Sequence, residues 1–217
     1  MSTRLILIEG LPGAGKSMTT VHLGEQLIQQ GIFCEWFLEE DEEHPLDCTG
    51  LALKDLSKKL IPLWEAVLQN VVNNQTVTIM ESRLWQNTSL FMYMAEFPVS
   101  EIIELQDRVN HALAPASPIL IYLYQADVKE ALGRLYELRD DSWMSRELKM
   151  MSKYPWFQSR GKDDFSGWLE FFGEWLEVAE ELYRRWPYRK LKVENPHDDW
   201  GLAYSKIEAY LRHNDVL

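Results

Sequence analysis

The stretch EGLPGAGKSMTT, residues 9–20, carries the spacing G-x-x-x-x-G-K-[ST] through Gly10, Gly15, Lys16 and Ser17. These residue types at these intervals suit a chain of phosphates. Glycines open backbone conformations in which several N–H groups converge on phosphate oxygens. Pro12, Gly13 and Ala14 complete the loop, and Met18 follows it. A lysine placed as Lys16 is reaches the β- and γ-phosphates, and a hydroxyl placed as Ser17 is ligates Mg2+. The apolar run 5–8 precedes the loop and a helical pattern follows it. The loop therefore sits at a helix N-terminus, where partial positive charge favours anions. ATP and Mg2+ are the cofactors this segment implies. The motif alone leaves open whether the phosphate is transferred, hydrolysed or only sensed.

Further charged residues follow other apolar runs. MESRLWQN, residues 80–87, places Glu81 and Arg83 after a third strand-like segment, with Trp85 close behind. Glu81 can hold Mg2+ or take a proton from an attacking hydroxyl, and Arg83 can grip an acceptor. The plain alternative is a solvated polar loop with a local ion pair. LEEDEEHPLD, residues 38–47, offers Glu39, Glu40 and Asp41 as acceptor contacts, and His44-Pro45 as a defined turn. A charge run of this kind is more commonly a solvated loop. Arg134, Arg139, Arg146, Arg160 and Lys162 lie where a lid would close, and arginines there stabilise charge on a moving phosphoryl group. Pairing with neighbouring carboxylates is their competing explanation. Trp85, Trp143 and Trp156 are candidates for an acceptor pocket against ordinary packing.

These residues need a scaffold, and the hydrophobic pattern supplies one. Short apolar runs at 4–9, 32–39, 76–80, 118–124 and 190–194 read as strands buried on both faces. Helical spacing is expected over 16–30, then through Leu53, Leu56, Leu60, Trp64, Val67 and Val71, where Pro62 should kink or restart the helix. One or two helices are expected within 88–113, another over 128–138, and a closing helix through Trp200, Ala203, Ile207 and Tyr210. A long stripe of Trp168, Phe171, Phe172, Trp175, Ala179, Leu182 and Trp186 reads as core. Strands alternating with helices imply a three-layer α/β fold: five parallel strands, helices on both faces, and ligands at the carboxyl ends of the strands. One domain over 1–217 is expected, with a small helical lid at about 139–165.

Composition narrows the partners. A formal charge of −12 argues against a nucleic acid polymer, which requires clustered Lys and Arg. It leaves nucleotide binding intact, because backbone amides, one lysine and Mg2+ meet that charge locally. No run approaches the ~18 apolar residues needed to span a membrane. The start of the chain lacks a signal-peptide pattern, and only Cys34 and Cys48 are present, which suits a reducing cytoplasm. A small-molecule acceptor is the expected partner, and the sequence is compatible with a monomer or a homodimer. The N-K-x-D guanine reader of switch GTPases does not occur, and the third strand ends TIMES rather than in the Asp-Glu of ATPase machines.

On the phosphate loop, Glu81-Ser82-Arg83 and ILIYLYQADVKEALGRLYELR at 119–139, the chain resembles the nucleoside and nucleotide kinases among P-loop phosphotransferases. Thymidylate kinases place Asp-Arg after the third strand and deoxynucleoside kinases Glu-Arg-Ser; here Ser82 stands between acid and base. The Asp127-Val128 turn and Arg134 match the thymidylate kinase-like pattern, with Arg139 one residue late. The resemblance implies a P-loop fold and phosphoryl transfer from ATP to a nucleoside or nucleotide. It implies catalytic roles for Lys16, Glu81, Arg83 and the lid arginines Arg134 and Arg139. It also places Asn195 against the adenine edge. An antibiotic or another hydroxylated metabolite suits the same pocket residues. A nucleotide-dependent regulatory protein and an oligomeric ATPase are the readings without an acceptor.

Overall fold

The computed structural model describes residues 4–46, 53–74 and 76–217; Asp47 and Cys48 lie outside the described residues. Five strands are formed: β1 (Leu5–Gly10), β2 (Cys34–Phe37), β3 (Val77–Glu81), β4 (Ile119–Tyr124) and β5 (Arg189–Glu194). The helices described are α1 (Lys16–Gln29), α2 (Leu53–Asn73), α3 (Ser89–Met94), α4 (Val99–Leu113), α5 (Val128–Leu138), α6 (Asp141–Met151), α7 (Pro155–Arg160), α8 (Phe165–Arg185) and α9 (Trp200–His213). The strand order is β2-β3-β1-β4-β5, and every pairing is parallel.

Register decides what the sheet presents at its edge. Ile8 lies opposite Glu81, Gly10 opposite Leu123, and Tyr124 opposite Glu194. The loops after all five strands therefore emerge on one side. The chain passes from β1 to β2 and back to β3 on one side, then crosses over β1 to β4 and β5 on the other, which makes the carboxyl end of β1 the switch point where such sheets bind ligands.

Alternation along the strands splits the core into two layers. Leu5, Leu7, Met80, Leu120 and Tyr122 face a cluster shared with α2, α4 and α8. Ile6, Ile8, Ile79, Ile119, Ile121 and Leu123 face the other side, covered by α1 and α9 through Leu23, Leu27, Ala203, Ile207 and Leu211. This is the three-layer α/β arrangement that the alternating strand and helix pattern implies.

Pro62 and Trp156 depart from the sequence expectation. Pro62 neither stops nor restarts its helix, because α2 runs through it from Leu53 to Asn73. A proline inside a helix costs about 3 kcal/mol. The stripe Leu56, Leu60, Trp64, Val67 and Val71 is buried along the whole length. Each such side chain contributes roughly 1.5–3 kcal/mol, so packing outweighs the missing hydrogen bond. The weakly patterned stretch after Arg139 forms α6 and α7, with Asp140 capping α6 through the Trp143 N–H at 2.7 Å. Met151, Trp156 and Phe157 root these helices in the α8 core. Trp156 is 1% exposed and donates its indole N–H to Glu174, so it belongs to packing and not to an acceptor pocket.

Candidate active site

The phosphate loop joins β1 to α1 with no side-chain cap, and Gly15 stands at the helix entry with φ 89°. Gly13 also has positive φ, at 78°. Both glycines sit in tight quarters. A β-carbon at Gly13 would lie 2.6 Å from the Ala131 carbonyl oxygen, and one at Gly15 would lie 2.2 Å from the Trp200 ring. The Leu11 carbonyl accepts from the Ala14 N–H at 3.1 Å and from the Lys16 ammonium at 3.1 Å. Lys16 is thus folded over its own loop, 7% exposed, with its charge at the carboxyl end of β1.

Glu81 stands at the centre of the next cluster. Its Oε1 accepts from the Ser17 hydroxyl at 2.9 Å and from the Glu39 N–H at 3.0 Å. This one carboxylate oxygen links the phosphate loop to the end of β2 across the sheet. The other, Oε2, is buried with no protein partner among the described residues. Burial pushes the Glu81 carboxyl above the usual carboxylate range, while Lys16, the Glu39 N–H and Ser17 oppose that rise. A hydroxyl beside an orphaned carboxylate oxygen is a fitting pair of ligands for Mg2+, which takes oxygen donors and keeps waters and phosphates for its remaining positions. Among the described residues no three His, Cys, Asp or Glu side chains converge as an all-protein metal cage, and such a site requires none.

The serine between acid and arginine has a geometric role. Ser82 adopts φ 60°, a left-handed turn that costs a non-glycine residue of order 1 kcal/mol. Its N–H is held by the Ile8 carbonyl, and its own carbonyl takes the Asn87 N–H. The turn lets Glu81 face the phosphate loop while Arg83 swings to the end of β2. There Arg83 donates from Nη2 to the Glu39 carbonyl at 2.6 Å, and its buried Nε has no partner among the described residues. The Glu39 carboxylate takes both its bonds from the Gln86 amide, at 3.0 and 3.1 Å.

Beneath the cluster lies Glu9, the last acid of β1, 2% exposed. Its Oε1 accepts the N–H groups of Leu84 at 2.8 Å and Trp85 at 3.1 Å, which anchors the loop after β3. Burial raises its pKa to about 8, against the opposing pull of Lys16 and those two amides.

No family model matches the sequence, and no curated protein matches it. Solved structures do match the fold. A deoxyadenosine kinase from M. mycoides with bound dATP is 20% identical, with a TM-score of 0.55, over 96% of this chain and 99% of the other. A thymidylate kinase from Ehrlichia chaffeensis is 13% identical, with a TM-score of 0.55, over 98% and 100%. The chain has the fold of the P-loop nucleoside and nucleotide kinases. The M. mycoides enzyme with bound dCTP aligns as well, at 20% identity and a TM-score of 0.50, over 94% of this chain and 99% of the other.

Within this kinase fold, the sequence candidates separate. Lys16, Ser17, Glu81 and Arg83 are brought together. Glu40 and Asp41 are not; both are exposed, Glu40 pairing with Arg139 at 3.4 Å and Asp41 accepting the Leu38 N–H to close a turn. Their neighbour Glu39 is the residue that faces the cluster, because the end of β2 turns its N–H onto Glu81. Trp85 is 2% exposed with its ring edge on Tyr122 at 5.4 Å, so it offers no open face for stacking a ligand. His44 is buried and forms the expected turn, its Nδ1 accepting the Leu46 N–H at 3.0 Å.

On the lid side, Arg134 bridges Gln125 at 2.8 Å and Glu130. Arg139 lies 5.2 Å from the Trp143 ring. Arg160 pairs with Glu96 and Lys162 with Glu170, both away from the cluster. Asn195 starts a turn after β5, its side chain accepting the Ala126 N–H at 3.1 Å. Met18 is 59% exposed in the first turn of α1. Glu9, Gln86 and His197 are additions that the sequence did not single out. Only Glu9 left a signal, as a lone acid closing an apolar strand.

Proposed function

We propose that this protein transfers the γ-phosphoryl group of ATP to a hydroxyl group of a small acceptor, with a nucleoside as the favoured class. The observation that carries this reading is the Glu39–Glu81 arrangement: one acid tied to the phosphate loop, the other held by a neutral amide. A phosphorylated acceptor arrives already deprotonated and needs cations around it. A hydroxyl acceptor needs a base. The Glu39 carboxylate is bonded to the uncharged Gln86 amide, while Arg83 donates from Nη2 to the Glu39 backbone carbonyl and Arg139 pairs with Glu40. That distribution suits a hydroxyl. The fold neighbours fit either acceptor class, one being named a deoxyadenosine kinase and another, at the same TM-score, a thymidylate kinase.

In this reading the ATP phosphates lie on residues 10–17, with the adenine beside Asn195. Ser17 and Glu81 would hold Mg2+, which would supply positive charge to offset that of the phosphates. Glu39 accepts the proton as the acceptor O–H bond breaks. The new bond forms to the γ-phosphorus, the bond to the β-phosphate bridging oxygen breaks, and ADP leaves. Lys16 stabilises the charge that develops, with Arg134 on the lid side.

The test is ADP release with Mg2+ and ATP across nucleosides, nucleoside monophosphates and aminoglycosides. Stimulation by nucleosides and not by their monophosphates is the expected result. Stimulation by monophosphates alone would overturn the hydroxyl assignment. Acceptor-independent turnover would point to a hydrolytic ATPase, and ATP binding without turnover to a regulatory protein. Glu81→Gln should keep ATP binding and lose acceptor-dependent release.

A further inference from the structure

His197 lies after β5, in the turn 196–198, and 184 residues separate it from Gly13. Its Nε2 stands 2.8 Å from the Gly13 carbonyl oxygen. A carbonyl can only accept, so this nitrogen carries the proton and donates. The same peptide unit is held at its other end, because the Ala14 N–H is taken by the Leu11 carbonyl at 3.1 Å. With both ends bonded, the plane of the 13–14 peptide has one orientation.

The surroundings reinforce that orientation. Gly13 lies against the Ala131 carbonyl of α5, and Gly15 lies beneath Trp200 of α9, with no room for a β-carbon at either place. The His197 ring meets Trp200 edge-on at 4.9 Å, and Trp200 leads to Tyr204 and on to His22 of α1, stacked at 3.8 Å. The phosphate loop is thus clasped by an aromatic row that begins at the turn carrying Asn195.

We propose that His197 is a positioning residue for the phosphate loop: its hydrogen bond to Gly13 fixes the loop in the shape that receives phosphates, and it joins that loop to the base end of the nucleotide site. The proposal rests on the reading of residues 10–17 as the ATP phosphate site. It assigns His197 no contact with the reacting atoms.

The experiment compares ATP with inorganic tripolyphosphate, which has no base, in calorimetric titrations of the full chain with Mg2+. In His197→Leu both ligands should lose affinity by a similar factor, about tenfold or more. His197→Gln, which can present a donor where Nε2 stands, should recover most of that loss. If His197→Leu weakens ATP alone, His197 is a base contact and the proposal fails. If it weakens neither, the clasp does not set the loop, and the proposal fails again. If the unaltered protein binds neither ligand, the phosphate-site reading falls, a result distinct from both. Should His197→Leu not fold, as judged by its melting transition, Trp200→Ala removes the wall over Gly15. It should weaken both ligands in parallel, and unchanged tripolyphosphate affinity there would count against the clasp.

Discussion

The proposed donor and acceptor ends of the site are built in different ways. At the donor end, a contiguous loop is held from outside: α5 against Gly13, Trp200 over Gly15, His197 on the Gly13 carbonyl. At the acceptor end, no contiguous motif exists. The ends of β1, β2 and β3 contribute Glu9, Glu39, and Glu81 with Arg83 and Gln86, and a single oxygen of Glu81 ties Ser17 to the Glu39 backbone. The donor end is a local shape stabilised by distant residues, whereas the acceptor end is an assembly that exists only once the strands are in register. Substitutions should therefore damage the two ends differently.

The largest effect is expected at the donor end from Lys16→Ala. Removing the buried lysine over the loop should lower kcat by about 10²–10³-fold, the usual loss for a preorganised electrostatic group, and should weaken ATP in equilibrium titration. At the acceptor end, Glu39→Gln should lower kcat by about 10²-fold or more with ATP affinity unchanged, as expected for a general base. Equal loss of ATP affinity in both variants would erase the distinction between the ends.

Glu9 underlies both halves and gives a pH signature. Its folded pKa of about 8 lies above the ordinary carboxylate value of 4.5. Between those limits the folded protein keeps a proton that the unfolded chain has released, so stability falls as pH rises through the window. Across that window a single such group costs about 1.4 kcal/mol for every pH unit climbed. Glu9→Gln keeps an acceptor for the Leu84 and Trp85 amides and should flatten denaturant-derived stability between pH 5 and 8 by on the order of a few kcal/mol. An unchanged pH profile would show that Glu9 is ionised throughout. The smallest effect is expected from Arg139→Ala. Its exposed pairing with Glu40 is worth about 0–1 kcal/mol, and stability should barely move. A loss in kcat beyond a fewfold without a change in stability would place Arg139 in the closed site.

The same contrast explains what could be read from the chain alone. The glycine-rich turn between β1 and α1, the five strands and the acid that closes β3 were legible, because spacing and apolar runs are local signals. Choosing Glu39 over Glu40 and Asp41 was not, since the choice depends on where β2 ends against β3. Trp85 read as a loop residue, but Glu9 draws its backbone inward and buries the ring. His197 had no local signal at all. Its meaning lies in a contact across most of the chain. Pro62 shows the converse: the helix it is expected to kink or restart runs on through it along the buried stripe of α2.

The contact between His197 and Gly13 also has a temporal side. During synthesis His197 is made 184 positions after the glycine whose carbonyl it holds. At about 5–20 residues per second, that interval is roughly 10–40 s. A ribosome-bound chain ending before the turn after β5 carries the complete motif without its clasp. If the loop at residues 10–15 receives phosphates as proposed, a chain that stops short of His197 holds the motif without the bond to the Gly13 carbonyl.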